Sequence, residues 1–212
     1  MNFGYPDTCK LCIEAVKKNF DTIRILGLKV RPFYQPGMKF KLMLIGQDPT
    51  IKEKQERVKK VLMLDQENSQ LRRWLKGIFG PSNFDSITIY ATNVVKCTFS
   101  QRPSVLKKGG RELLNTCFSN CREYLIKEIL MYSPDLILSL GEPSHELFLK
   151  SVTGNIPLRM KDAFSGKFYE ITIENFQTHY SPCLHIQTFR VAEKYGVSVN
   201  NFKKLIKEYN TA

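Results

Sequence analysis

The sequence lacks the segments that mark a membrane or exported protein. No apolar run approaches the roughly 20 residues that a bilayer-spanning helix needs. The opening residues, MNFGYPDTCK, contain no apolar stretch of the kind that forms the centre of a secretory signal peptide. From these absences we expect an intracellular, cytoplasmic protein with no membrane partner.

Nucleotide-binding glycine motifs are missing too, and acidic residues are scarce. Neither GxxxxGK(S/T) nor GxGxxG occurs, which disfavours an NTPase or a dinucleotide-dependent enzyme. Asp and Glu number 20 against 32 Lys and Arg, giving a formal net charge of +12. Such an excess favours a polyanionic partner, with nucleic acid first among the candidates, although surface lysine can also serve solubility alone.

The apolar pattern predicts the fold class. With 42% hydrophobic residues in 212, the chain can form one domain, 1–212, with a substantial core. Continuous apolar runs predict strands and helical spacing predicts helices between them: strands at 38–45, 86–91 and 135–140, helices at 71–79 and 112–132, and a hairpin or added strand pair at 166–181. We therefore predict an α/β fold, a three-layer sandwich around a mainly parallel sheet of about four strands.

Polar residues follow each predicted strand. They are GQDPT at 46–50, Asn93, Gly-Glu-Pro-Ser at 141–144, and His-Tyr-Ser-Pro at 179–182, taken as a loop after the last strand. Parallel sheets bind ligands beyond the carboxyl ends of their strands. We therefore expect these residues to share one functional site at one edge of the sheet.

Four motifs in order carry a family resemblance. GQDP, TNVVKC, PDLILSLG and HYSP together resemble the uracil-DNA glycosylase superfamily, and TNVVKC with the N-terminal CxxC is similar to its iron–sulfur branch. The resemblance extends from Cys9 to about His185. It implies a monomeric enzyme of base excision repair that hydrolyses the N-glycosidic bond of uracil or a related deaminated base in DNA. In a prokaryotic cell we expect it at the nucleoid.

This chemistry assigns roles to particular side chains. Asp48 would position a water and stabilise the cationic sugar, and His179 would donate to the leaving base. Asn93 offers a donor and an acceptor to the Watson–Crick edge of an extruded base. Alternatively, Asp48 forms an Asx-turn or a helix N-cap, and Asn93 satisfies a backbone group. The resemblance implies that the base also meets three further residues of the first motif: Gly46, Gln47 and Thr50.

The chain departs from the family at two places. Thr50 stands where the GQDPY branch has a tyrosine whose ring excludes the methyl group of thymine. The segment after GQDP has no phenylalanine to stack on the base, so stacking is expected from Leu62, Met63 or Leu64, or from another element of the chain. Both departures predict a base preference that differs from that of the better-known branch.

The six cysteines point to a metal site. Without a signal peptide, metal binding or catalysis is favoured over disulfides. The resemblance implies that a [4Fe–4S] cluster is held by Cys9, Cys12, Cys97 and Cys121, within an N-terminal cluster-binding segment, 1–37, and the core. Cys117 lies one helical turn before Cys121 and is the rival fourth ligand, and structural zinc is the rival metal.

Basic residues between two predicted ligands suggest a DNA contact. The loop 102–111 carries Arg102, Lys107, Lys108 and Arg111, which either contact phosphates or are simply solvated. The resemblance implies that Ser181 contacts DNA and that Leu184 or Cys183 fills the gap left by a flipped base. A basic helix is predicted at 189–212. The alternatives are a weak or inactive nucleic-acid-binding protein on the same fold, or a protein that binds a free base or nucleotide.

Overall fold

The computed structural model describes most of the chain. The described residues are 3–16, 23–38, 40–51, 58–103, 106, 108–185, 200–201, 203–204 and 206–208. Of the predicted C-terminal helix, 189–199 lie outside the described residues, while 200–201, 203–204 and 206–208 are helical, with Ile206 buried in the core. No helix in these ranges is both long and apolar enough to cross a membrane.

A mixed six-stranded sheet forms the centre of the fold. The strands are β1 (Phe33–Gln35), β2 (Lys41–Gly46), β3 (Thr88–Asn93), β4 (Leu136–Leu140), β5 (Tyr169–Ile173) and β6 (Phe176–Cys183). In the order β1-β3-β2-β4-β6-β5, the four inner strands are parallel and the two edge strands antiparallel. The α/β fold with a mainly parallel sheet is confirmed, and the antiparallel edges extend the predicted four strands to six.

Helices cover both faces of this sheet. They are α1 (Leu11–Val16), α2 (Gln70–Phe79), α3 (Pro81–Ser86), α4 (Gly110–Tyr132), α5 (Glu142–Phe148) and α6 (Met160–Ala163). Ser69 caps the start of α2, where its hydroxyl accepts the N–H of Arg72 at 3.1 Å, and Gly80, whose φ is 83°, caps its end. Such a polar N-cap and glycine end are what the local sequence favours.

Two apolar cores give the sandwich its layers. Alternate residues of β2 enter opposite cores, because successive side chains of a strand point to opposite faces. Met43 and Ile45 pack with α1, α4 and α5, while Leu42 and Leu44 pack with α2, α3 and α6. Burial on both faces explains why these strands read as unbroken apolar runs.

The strand register determines which residues share an edge. Gly46 pairs with Asn93, and Leu140 pairs with Cys183, so the inner strands end at one edge with these residues. The amino ends of the same strands lie at the opposite edge, where Leu42 pairs with Leu136. The carboxyl edge is therefore the place to look for ligand-binding side chains.

Candidate active site

Asp48 lies just beyond the end of β2 in a partly buried position. Its two carboxylate oxygens accept hydrogen bonds from the Gln47 amide and the Thr50 hydroxyl. Burial raises the pKa of Asp48, while the bonds from Thr50 and Gln47, together with the charge of Arg102, act to lower it. The result is an oriented carboxylate in a poorly solvated place, which is the state expected of a functional acid.

The Asn93 side chain lies across Gly46. A Cβ added at Gly46 would come within 2.3 Å of Asn93 Oδ1, so only glycine leaves room for this amide. Asn93 is 3% exposed, and its bond from Lys96 uses the backbone oxygen. Among the residues described, no hydrogen bond engages its side-chain amide. A nearly buried amide with free polar atoms is suited to pair with a ligand.

Leu62 packs over the same glycine and is the apolar neighbour of the Asn93 amide there. Its Cδ2 would lie 3.0 Å from a Cβ at Gly46. Leu62 and Met63 have positive φ angles of 59° and 51°, which cost about 1–2 kcal/mol each in residues other than glycine. Backbone strain of this kind concentrates at ligand sites. Of the three residues expected to stack on a base, Leu62 is the one at the pocket, whereas Met63 is exposed and Leu64 is buried in the core.

The predicted position of the catalytic histidine is corrected by the structure. His179 lies inside β6, where it pairs with Leu136 at the start of β4. The distance from that level of the sheet to Gly46 is about 13 Å, at about 3.3 Å per residue along β2. His179 is therefore at the amino edge, away from Asp48, and the HYSP segment is strand rather than loop.

The error arises from a proline that does not end its strand. Proline has no N–H for a ladder and is expected at edges or strand ends. However, β5 pairs with β6 only as far as Tyr180. Beyond that residue, β4 is the one strand that pairs with β6 in the described part of the chain, so Pro182 is tolerated and β6 continues to Cys183.

His185 is the histidine that lies at the carboxyl edge, a position that the sequence analysis missed. Its Cβ lies 3.5 Å from the place that a Cβ on Gly141 would take, just beyond the ends of β4 and β6. Desolvation lowers the pKa of His185, and the charge of Arg102 lowers it further. The ring is therefore mainly neutral at pH 7, the form in which one ring nitrogen carries a hydrogen. The local sequence carries no signal for this position, because Phe176–Cys183 reads FQTHYSPC and mixes polar with apolar residues.

The predicted DNA contacts fall into two groups. Arg102 and Lys108 are exposed, and the charge of Arg102 influences both Asp48 and His185. Arg111 is also exposed but forms an ion pair with Glu146, and Lys107 lies outside the described residues. The basic group therefore borders the carboxyl edge through Arg102.

The other two predicted contacts, Ser181 and Leu184, are corrected. Ser181 is buried within β6 opposite Leu138, and Leu184 is buried in the core. Cys183, the alternative wedge, is buried as well, which raises the pKa of its thiol. Because strand β6 is longer than expected, these residues pack inside the protein in this structure and not on its surface.

Comparison with known protein families identifies this fold. The family model described as the uracil DNA glycosylase superfamily matches residues 32–208, which is most of the chain. The chain belongs to the uracil DNA glycosylase superfamily. A search of curated proteins finds no match. The matched range of the superfamily contains Asp48, Asn93 and His185 but begins after Cys9 and Cys12.

In this superfamily member, four buried thiols converge on one place. The Cys12, Cys97, Cys117 and Cys121 thiols share one core cluster, and their mutual interaction lowers the pKa of Cys12 and raises the pKa values of the other three. Cys9 is half-buried and acts on Cys97 through its charge. Thus three of the four predicted ligands meet, and the fourth thiol in contact is Cys117, which the sequence left as the rival.

The chemistry of this thiol group fits an iron–sulfur cluster. Two N–H groups point at its sulfur atoms: the Lys96 backbone N–H at 3.4 Å from Cys121 Sγ, and the Asn120 amide at 3.7 Å from Cys12 Sγ. Hydrogen bonds to sulfur are a usual feature of cluster sites. Within the described ranges, no three Cys, His, Asp or Glu side chains are spaced to hold a metal ion as they stand. The fit therefore rests on donor type and burial.

Proposed function

We propose that this protein hydrolyses the N-glycosidic bond of uracil or a related deaminated base in DNA. Members of its superfamily are DNA glycosylases, and they act on DNA. The observation that carries the proposal is the Asn93 amide, which is nearly buried across Gly46 with free polar atoms and lies at the same edge as the Asp48 carboxylate. An amide for the base and a carboxylate for the sugar are the two groups that this reaction needs most.

In the proposed reaction, the base leaves the helix stack and enters the pocket between Asn93 and Leu62. Asn93 pairs with the edge of the base, and Leu62 packs against its face. The bond from the sugar to the base breaks with both electrons going to the base, and the oxygen of a water molecule bonds to the sugar carbon. Asp48 orients this water, accepts the proton that it loses and opposes the positive charge of the sugar, while the N–H of His185 donates to the oxygen of the departing base anion.

Base selection follows from two features of the pocket. The Thr50 hydroxyl is bonded to Asp48, so Thr50 orients the carboxylate and presents only a small side chain toward a base. Leu62 provides an aliphatic face where an aromatic ring would give stronger stacking. We propose uracil as the first substrate, and hypoxanthine, xanthine and mismatched thymine as the bases to compare with it.

The basic residues supply the sequence-independent part of DNA binding. Arg102 and Lys108 are exposed at the end of the loop that leads into α4. Each phosphate that they neutralise should contribute about −0.9 to the slope of log affinity against log salt on duplex DNA. Lys41, at the amino edge of the sheet, serves as a control whose replacement should leave this slope unchanged.

We further propose that the thiol group holds a [4Fe–4S] cluster, with zinc as the alternative. Cys12, Cys97 and Cys121 would be ligands, and the fourth would be Cys117 or Cys9. A bound cluster supplies four strong bonds that join the N-terminal segment to the core. The Cys12→Ser variant should lose bound iron and sulfide and the visible absorbance of thiolate-to-iron bonds, whereas Cys183→Ser should keep them. Stoichiometric zinc without colour in the parent would refute the iron assignment.

One assay tests the proposed enzyme directly. Purified protein is incubated with single strands and duplexes that carry each candidate base, and abasic sites are then cleaved with alkali. We expect strand cleavage at uracil, and a loss of roughly 100-fold or more in the Asp48→Asn variant, because the oriented carboxylate becomes a neutral amide. The exposed Asp85, before β3 at the other edge, provides the matched control Asp85→Asn. No cleavage of any substrate would indicate a non-enzymatic DNA-binding protein.

A further inference from the structure

A buried ion pair lies directly behind the candidate site. Lys96 is 1% exposed and Glu128, on α4, is 0% exposed, and their side chains form a salt bridge. The Lys96 ammonium also donates to Thr92 Oγ1 at 2.8 Å and to the backbone oxygen of Asn93 at 2.7 Å. Glu128 in turn accepts the Tyr90 hydroxyl at 2.5 Å. Every charged oxygen and nitrogen of the pair therefore has a partner.

Stability alone is a weak reason to keep such a pair. Moving two charges out of water costs about as much as their attraction returns, and well-packed neutral residues often replace a buried pair without loss of stability. A single unpaired charge left behind is, by contrast, strongly destabilising. The role of the Lys96–Glu128 pair must therefore be sought in the groups that its hydrogen bonds hold in position.

These hydrogen bonds fix the turn that presents Asn93. The Lys96 side chain reaches back and holds the Asn93 carbonyl, while its own backbone N–H donates to Cys121 Sγ at 3.4 Å. On the other side of the turn, the Val94 N–H donates to the Gly46 oxygen at 2.9 Å, and the Val95 N–H donates to the Gln47 oxygen at 3.0 Å. The turn at residues 93–96 is thus hydrogen-bonded to the thiol group on one side. On the other side it is hydrogen-bonded to the end of β2, the strand that leads to Asp48.

We propose that Lys96, paired with Glu128, is the positioning residue for Asn93 and connects the thiol group to the base-binding pocket. Lys96 reaches no substrate itself, since it is buried behind the turn. It fixes the carbonyl of Asn93, so that the side-chain amide stays aligned across Gly46. The role of Asn93 in base binding rests on the proposed function, while the effect of Lys96 on the conformation of the turn does not depend on it.

The test separates positioning from general stability. In Lys96→Met/Glu128→Gln, no buried charge is left unpaired, and the amide oxygen of the new glutamine can still accept the hydroxyls of Tyr90 and Thr92. Tyr132→Phe is the control, because it removes buried bonds to the Leu42 and Thr88 oxygens at the amino edge of the sheet. Hydrogen exchange at the Val94 and Val95 amides reports on the turn, and kcat/KM for uracil excision reports on the pocket.

We expect the double variant to fold, to exchange the amides of Val94 and Val95 at least 10-fold faster, and to lose at least 10-fold in kcat/KM. Its affinity for a duplex with an abasic-site analogue, which has no base, should stay within twofold of the parent value. Tyr132→Phe should change neither the turn nor kcat/KM, even if its melting temperature falls further. Parent-level exchange at Val94 and Val95 in the double variant would overturn the inference. A parent that excises no base would refute the proposed function, while the exchange rates would still decide the role of Lys96.

Discussion

Gly46→Ala tests the pocket with a single methyl group. In the parent, the place of this methyl lies 2.3 Å from Asn93 Oδ1 and 3.0 Å from Leu62 Cδ2. Ordinary contact begins at 3.4 Å, so the Asn93 amide has to withdraw by about 1 Å, and Leu62 by a few tenths of an ångström. The substitution therefore disturbs the proposed base-binding group and leaves the rest of the sheet in place.

The expected size of the effect follows from this displacement. Asn93 would lose about two hydrogen bonds to the base, each with a net contribution of about 0.5–1.5 kcal/mol. Their sum, about 1–3 kcal/mol, corresponds to a decrease in kcat/KM of roughly 5- to 150-fold, at 1.36 kcal/mol per tenfold. Folding stability should change little, because Gly-to-Ala restricts the unfolded chain by about 0.4–1 kcal/mol, which partly offsets the strain.

The assay compares excision kinetics and thermal unfolding in two alanine variants. Gly77→Ala, in α2, is the control, because a Cβ there meets nothing within 4 Å. It should gain about 0.5–1 kcal/mol of stability from the better helix former, with unchanged kcat/KM. If Gly46→Ala retains the kcat/KM of the parent, Asn93 does not bind the base in the proposed way.

Three further predictions concern the same edge of the sheet. Thr50→Val removes a hydroxyl that lowers the pKa of Asp48, so the pKa of Asp48 should rise further. Because ionised Asp48 is the active form, the acidic limb of the plot of kcat/KM against pH should move to higher pH. An acidic limb that does not move would contradict this role of Thr50. His185→Gln should reduce kcat by roughly 100-fold, whereas His179→Gln should stay within twofold, and the reverse ranking would restore the original assignment. Arg102→Ala should reduce the slope of log affinity against log salt for duplex DNA by about 0.9 in magnitude per lost phosphate contact. The slope is measured by titration at several salt concentrations, and an unchanged slope would show that Arg102 does not contact the DNA backbone.

The fold was largely accessible from sequence patterns. Strands such as β2 and β4 are apolar throughout because they are buried on both faces, and this pattern requires no knowledge of their neighbours. The edge strand β1 has only half-buried residues and is three residues long, so it carries too weak a pattern to be recognised. Its position beside β3 is a product of long-range pairing.

The choice among the cysteines and among the stacking residues also depended on tertiary structure and not on local sequence. Spacing identified the helix cysteines Cys117 and Cys121 as rivals, and both proved to face the Cys12 thiol because they lie one turn apart on α4. No local pattern distinguished Leu62 from Met63. The difference arises from the strained backbone at 61–63, which turns one side chain toward Gly46 and leaves the other exposed.

By itself, the sequence determined the α/β class, and it predicted a site at the carboxyl edge with Asp48 and Asn93, because each of these follows from a strand and the residues directly after it. The tertiary structure decided which histidine lies near that edge. The length of β6 depends on where β5 stops pairing with it. Because that pairing stops early, Pro182 lies inside the sheet and His185 lies just beyond the end of β6. It also decided that Ser181 and Leu184 are buried, since a strand end is a property of neighbouring strands and not of the segment alone.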